Sequence, residues 1–163
     1  MLWFGRERKR IELQVIIRRV VDLTMSDLTV RANRAEERYG RTLPVLLAPW
    51  EHDEPLVDQA RIVVTKDISD HGMALIVPDP WDAVQVVVGM WIHTRQLDVV
   101  RPEPDPVFIL ANVRNCSDVG GGCWQLGLQL EEILKSGRVT AVLRPLAQDL
   151  LPQSLHRELA PAR

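Results

Sequence analysis

The chain has 163 residues, 46% of them hydrophobic, and a net charge of −2 at neutral pH. This length accommodates one sizeable core, whereas two separate domains would each be small for a stable core. No apolar run approaches the roughly 20 residues of a membrane-spanning helix. Residues 1–5 are too short for the apolar part of a secretion signal before charge begins at Arg6, so we expect a cytoplasmic protein without a membrane span.

The first predicted element is an amphipathic helix over residues 7–24. Its apolar positions recur at helical spacing: Ile11, Val15, Ile16, Val20 and Leu23. A polar stretch from Arg31 to Gly40 follows and is typical of a connector. Residues 1–41 carry ten Arg and Lys against six Asp and Glu. This basic excess suits a small anionic ligand better than a nucleic-acid polymer.

Six short strands are predicted after the connector, separated by turn residues. They are Pro44–Ala48, Ala60–Asp67, Met73–Val77, Val84–Thr94, Val107–Cys116 and Cys123–Leu130. The last two are joined at Gly120–Gly122, which lacks the Lys-Ser/Thr of a phosphate loop and is predicted to be a hairpin turn. After Gly137 the apolar spacing becomes helical again, with a break or kink expected at Pro145.

Two polar motifs lie on either side of the first two predicted strands. Asp67-Ile68-Ser69-Asp70-His71-Gly72 has the composition of a tight turn, because Asp and Ser bond nearby backbone amides and Gly adopts unusual backbone angles easily. Arg34-Ala35-Glu36-Glu37-Arg38 places two arginines four positions apart, shortly before the strand that starts near Leu43. The order and spacing of the two motifs together are more specific than either motif alone.

These two motifs resemble those of the PilZ family. In that family an Arg-x-x-x-Arg segment precedes the barrel, an Asp/Asn-x-Ser-x-x-Gly turn follows the second strand, and together they bind cyclic di-GMP. Arg34 and Arg38 match the first motif, and Asp67, Ser69 and Gly72 match the second. The resemblance therefore implies that these five residues bind the ligand.

The resemblance covers residues 34–132, about three fifths of the chain, because the stretch from Cys123 to Leu130 is also similar to the family's last strand. It implies a mainly β fold, a six-stranded antiparallel PilZ-like barrel with an N-terminal amphipathic helix and a C-terminal helix. The implied division is a helical extension and connector over 1–33, the barrel domain over 34–135, and a helix with a tail over 136–163.

The side chains suit the implied ligand chemically. The planar fork of arginine can bond a phosphate or guanine O6 and N7 in pairs, and it can also stack on a base. An ionised Asp67 accepts from guanine N1–H and N2–H, while Ser69 can donate to a phosphate or to O6. Arg41 and His71 are auxiliary candidates. Asp67 and Ser69 alternatively only fix the turn through local bonds to the backbone.

Two features depart from the family pattern. Glu36 and Glu37 stand between the arginines, where another basic residue is frequent, and would repel phosphates unless both point away. His71 occupies a position often filled by a second glycine. These differences keep open a ligand-independent adaptor, in which the apolar faces of residues 11–23 and 139–151 dock a partner protein.

No catalytic or metal site is predicted. The four histidines have no spacing with Ser, Cys or carboxylates that indicates a metal, triad or acid/base site. Cys116 and Cys123 could face each other across the hairpin, but without an export signal two reduced thiols are expected. The preferred prediction is a non-catalytic receptor without cofactor, which signals to an unidentified protein partner. The exposed first helix leaves a homodimer open.

Overall fold

The computed structural model describes residues 2–24, 37–96, 99–102 and 105–150. Two helices frame the β structure, α1 at Leu2–Leu23 and α2 at Gly137–Leu150. Between them the described residues form ten strands. In chain order these are β1 (Tyr39–Gly40), β2 (Pro44–Glu51), β3 (Glu54–Pro55), β4 (Arg61–Ile68), β5 (Gly72–Val77), β6 (Gln85–Met90), β7 (His93–Gln96), β8 (Val99–Pro102), β9 (Val107–Gly120) and β10 (Cys123–Ile133).

Six of these strands close into an antiparallel barrel. Its order is β4-β5-β10-β9-β6-β2, and β2 pairs back with β4 to complete the circle. The short strands β1 and β3 extend the sheet from β4 and β2, while β7 and β8 form a separate two-stranded ribbon. Closure leaves no long unpaired edge among the six barrel strands.

The alternation of side chains along each strand produces two cores. On β2, Val45 and Leu47 point into the barrel, whereas Leu46, Ala48 and Trp50 point outward. All five are buried, because each face of β2 is covered.

Helix α1 contributes to the inner core. Its buried side chains Leu13, Ile17, Val20 and Val21 belong to the same cluster as the barrel interior. The spacing of these residues is helical, so one face of α1 packs on the barrel and the opposite face is exposed.

Helix α2 covers the outer face of β2, β6 and β9. Leu143 and Ala147 are fully buried there against a cluster that includes Trp50, Trp91 and Phe108. The helix continues through Pro145 to Leu150, so the predicted break does not end it.

The predicted fold class is confirmed: the protein is mainly β, with a six-stranded antiparallel barrel and a helix on each side of it in sequence. The glycine turn is also confirmed, because Gly120–Gly122 all have positive φ and join β9 to β10. Within the described residues, neither helix combines the length and hydropathy needed to cross a bilayer.

Some local predictions were wrong. The strand predicted over 84–94 is two strands, since β6 ends at Met90 and β7 begins at His93 in the separate ribbon. The two cysteines do not face each other, because the bulged register places Cys116 opposite Leu126 and Cys123 opposite Gly120. Both thiols are free.

Candidate ligand-binding site

The turn between β4 and β5 is held together by its own serine. The Ser69 amide donates to the Gly72 carbonyl at 2.8 Å, and the Gly72 amide donates to Ser69 Oγ at 3.1 Å. Ser69 is almost fully buried. Its hydroxyl therefore organises the turn, as the predicted local bonding of this motif requires.

Strand β1 brings the arginine motif to this turn. Tyr39 pairs with Ile68 and Gly40 with Asp67, so the residue before β1 lies beside the end of β4. Arg38 is that residue, and its Nη1 lies 2.7 Å from Asp67 Oδ1. The Arg38 side chain is 33% exposed and that of Asp67 is 15% exposed, so solvent reaches the pair mainly through the arginine.

Gly72 is required by close packing of the backbone. A Cβ at this position would lie 2.5 Å from the carbonyl oxygen of Leu128 on the neighbouring strand β10. Among the described residues, the glycines with positive φ are Gly120–Gly122, and Gly72 is outside this set. The absence of a side chain at Gly72 thus permits the approach of β5 to β10 rather than an unusual backbone angle.

Helix α1 contacts the same turn from the other side. Arg18 Nη2 donates to Asp70 Oδ2 at 3.1 Å, and Arg10 Nε donates to His71 Nε2 at 2.9 Å. Gln14 lies between them on the helix, with Nε2 3.5 Å from the same His71 nitrogen. Positions 10, 14 and 18 share one helix face. This polar stripe was present in the sequence, but sequence reasoning did not connect it to the turn.

Tyr39 joins the arginine motif to α1. Its hydroxyl accepts from Arg18 Nη1 at 2.7 Å and donates to the Glu37 carboxylate at 3.1 Å, while the Arg18 guanidinium lies 5.3 Å from the ring centroid. Glu37 is therefore held by Tyr39. Burial raises the pKa of Tyr39, helped by Glu37, and the hydrogen bond to Asp70 raises the pKa of Arg18. The tyrosine is neutral and the arginine charged at neutral pH.

Arg41 is directed toward the end of α1. It is 7% exposed, and its guanidinium donates to the Val21 carbonyl at 2.9 Å, to Thr24 Oγ1 at 3.0 Å and to the Gly40 carbonyl at 2.7 Å. Val21 O is one of the carbonyls that a helix end leaves without a partner inside the helix. Arg41 thus ties the end of α1 to the barrel.

The predicted site residues are distributed as follows. Arg38, Asp67, Ser69 and Gly72 lie together where β1, β4 and β5 meet. The auxiliary candidates Arg41 and His71 lie next to these four residues and form hydrogen bonds with α1. Arg34 and Glu36 lie outside the described residues. Within those described, no group of three or more His, Cys, Asp or Glu side chains could hold a metal ion.

A closed six-stranded barrel brings Arg38 and the turn at residues 67–72 together at one corner, with a helix before it and a helix after it. This architecture is the one that the resemblance of the two motifs implied. No family model and no curated protein matches its sequence.

Two solved structures are similar to this chain. The inhibitor of motility MotI/DgrA of Bacillus subtilis is 17% identical, with a TM-score of 0.44, over 78% of this chain and 54% of that one. This chain thus spans about half the length of that structure. The PilZ domain of YcgR from Escherichia coli, solved with c-di-GMP, is 14% identical, with a TM-score of 0.32, over 77% of this chain and 97% of that one.

Proposed function

We propose that this PilZ-like chain is a non-catalytic receptor for cyclic di-GMP in the bacterial cytoplasm. Its site is formed by Arg34, Arg38, Asp67, Ser69 and Gly72. The observation that carries the proposal is the 2.7 Å ion pair between Arg38 and Asp67, because it unites two motifs that lie 29 positions apart in sequence. An anionic ligand that approaches this corner meets Arg38, whose side chain is held by Asp67 and is still partly exposed to solvent.

Arg38 is suited to the anionic and guanine oxygens of the ligand. One of its N–H groups is used on Asp67, and the planar guanidinium has further donors in a fixed fork. Asp67 orients this fork, and its second oxygen can accept from guanine N1–H or N2–H. Arg34, four positions earlier, supplies a second cation for the two phosphates.

Ser69 and Gly72 shape the surface on which the ligand lies. The hydroxyl of Ser69 accepts from the Gly72 amide and donates to the Gly72 carbonyl, which fixes the turn. To donate to a phosphate or to guanine O6, this hydroxyl would give up its bond to the carbonyl. Gly72 keeps the turn close to β10. The two residues therefore act mainly by preorganisation, which lowers the ordering cost of binding.

The auxiliary residues connect this site to α1. His71 accepts a hydrogen bond from Arg10, and Asp70 accepts one from Arg18. Arg41 donates a hydrogen bond to the carbonyl of Val21. A ligand that draws Arg34 and the connector onto the turn, where Arg38 already pairs with Asp67, changes the surroundings of these bonds. We propose that α1 shifts in response and alters the surface offered to a partner protein.

The ligand-independent adaptor is the second candidate, but much of each helix face assigned to it is occupied. Ile17 and Val20 of α1 are fully buried in the barrel core, and Leu143 and Ala147 of α2 are fully buried on the outer face. The apolar residues of these faces that stay exposed are Ile11 and Val15 on α1 and Val142 and Leu150 on α2, so a partner that docks without rearrangement would contact only these. The receptor is therefore preferred.

Thermal unfolding with and without cyclic di-GMP tests the receptor directly. A ligand at about 100 times its Kd stabilises the folded state by about 2.7 kcal/mol, so the Tm is expected to rise by about 5 to 10 °C in a protein of this size. GMP and cyclic di-AMP at the same concentration are the controls. An unchanged Tm with all three compounds, in a cooperatively unfolding sample, would argue for the adaptor.

A further inference from the structure

A second concave site lies at the opposite end of β4 from the proposed ligand site. It is a cleft of about 540 Å³. Its walls include Pro49, Trp50, Arg61, Pro80, Trp81 and Val84. Arg61 begins β4 and Asp67 lies near its end, so the two sites are about 20 Å apart along the strand. Nothing in the proposed receptor function uses this cleft.

Part of the cleft offers apolar and aromatic groups to solvent, beside polar lining from Gln59, Gln85 and Asn112. Val84 is 77% exposed, more than any other large hydrophobic residue that the structure describes. Trp81 is half-buried beside it, and Pro80 is exposed. Exposed apolar groups that converge on one concavity, rather than being scattered, indicate a recognition surface.

Contacts of Arg61 indicate that the cleft can bind a cationic side chain. The guanidinium of Arg61 lies 5.2 Å from the ring centroid of Trp81 and 3.0 Å from the carboxylate of Asp79. Stacking on an indole combined with a carboxylate partner is a favourable setting for a cation. The rim continues with two more exposed carboxylates, Glu51 and Asp82. Arg61 already pairs with Asp79, which lies outside the lining, so the two lining carboxylates Glu51 and Asp82 give the rim its attraction for positive charge.

The neighbouring backbone does not favour the addition of a partner strand. The sheet edge at this end is β3, which consists only of Glu54 and Pro55. Proline has no N–H to donate to an added strand. Recognition must therefore rely on side chains in the groove. Aromatic grooves of this kind accept extended proline-containing segments, whose backbone is already ordered before binding.

We propose that this cleft binds an extended, basic, proline-containing segment of a partner protein. Prolines of the segment pack between Trp81 and Val84, and an arginine or lysine of the segment reaches Glu51 or Asp82. The site is separate from the cyclic di-GMP site. It supplies a partner surface whether or not that ligand binds.

The test is an NMR titration that follows the indole N–H signals, with Trp81→Phe used to assign the Trp81 signal. The probe is the capped peptide Pro-Pro-Arg-Pro-Pro-Arg. We expect a saturable shift of the Trp81 signal with a Kd below about 1 mM, and a weaker response at high salt. The peptides Pro-Pro-Glu-Pro-Pro-Glu and Gly-Ser-Arg-Gly-Ser-Arg are expected to bind at least tenfold more weakly.

Matched variants locate the binding. Val84→Lys should lower the affinity for the peptide at least tenfold. Val119→Lys changes an exposed valine outside the cleft and should leave the peptide affinity unchanged. Arg38→Ala should also leave peptide binding unchanged, so failure of the cyclic di-GMP proposal is separable from failure of this one. The proposal is overturned by an unmoved Trp81 signal, by equal binding of either control peptide, or by equal effects of the two lysine variants.

Discussion

Replacing Arg38 by alanine is expected to weaken cyclic di-GMP binding about 100-fold or more. The variant loses the planar donor group that Asp67 holds at 2.7 Å. Hydrogen bonds to charged groups contribute about 1.5 to 3 kcal/mol each, and the loss of two corresponds to a factor of this size. Arg38→Lys keeps the charge without the fork and is expected to lose about tenfold. Calorimetric titration measures both.

A matched control is available at the other end of β4. Arg61 also forms a single ion pair with an aspartate, and its side-chain exposure of 38% is close to the 33% of Arg38. Arg61→Ala should bind cyclic di-GMP like the wild type. Both alanine variants should unfold within about 1 kcal/mol of the wild type, because exposed ion pairs contribute little stability. Equal affinities of Arg38→Ala and wild type would remove Arg38 from the site.

Replacing Gly72 by alanine is expected to destabilise the fold by about 2 to 4 kcal/mol. The added Cβ would meet the Leu128 carbonyl oxygen at 2.5 Å, and that atom belongs to the backbone of β10. Neither strand can rotate away as a flexible side chain would, so β5 and β10 must separate locally. Urea unfolding measures the loss through the shift of the midpoint at unchanged slope.

The control for Gly72 is a glycine with open space around it. Gly5 lies in α1, and a Cβ there would have no heavy atom within 4 Å. Gly5→Ala should be neutral or stabilise by about 0.5 to 1 kcal/mol, because alanine favours the helix. A Gly72→Ala variant as stable as the wild type would show that the strands adapt. The affinity of this variant for cyclic di-GMP would then show whether a methyl group at position 72 obstructs the ligand.

The regular strands of the barrel could be predicted from the sequence because their apolar residues alternate and turn residues separate them. On β10 the buried residues Leu126, Leu128 and Leu130 follow this alternation directly. The two-residue strands β1 and β3 could not be predicted. A pairing of two residues leaves no periodic signal, and β1 exists because the ends of β4 and the connector meet in three dimensions.

The site was only partly predictable for the same reason. The motif spacing pointed to Arg38 and Asp67, and the local turn chemistry of Ser69 follows from its residue type. The packing of α1 on this turn depends on long-range contacts, such as Arg18 with Asp70, that no local pattern encodes. The requirement for glycine at position 72 could not be predicted either, because it arises from the backbone carbonyl of Leu128 on another strand.

The most direct test of the central claim is an NMR titration of the isotope-labelled protein with cyclic di-GMP, following every assigned backbone amide. If the ligand binds where the two motifs meet, the largest shifts will fall on Arg38 and on residues 67–72, followed by smaller shifts along α1. A folded protein whose spectrum does not change at saturating ligand would contradict the account. Shifts confined to another surface, such as the cleft around Trp81, would contradict it equally.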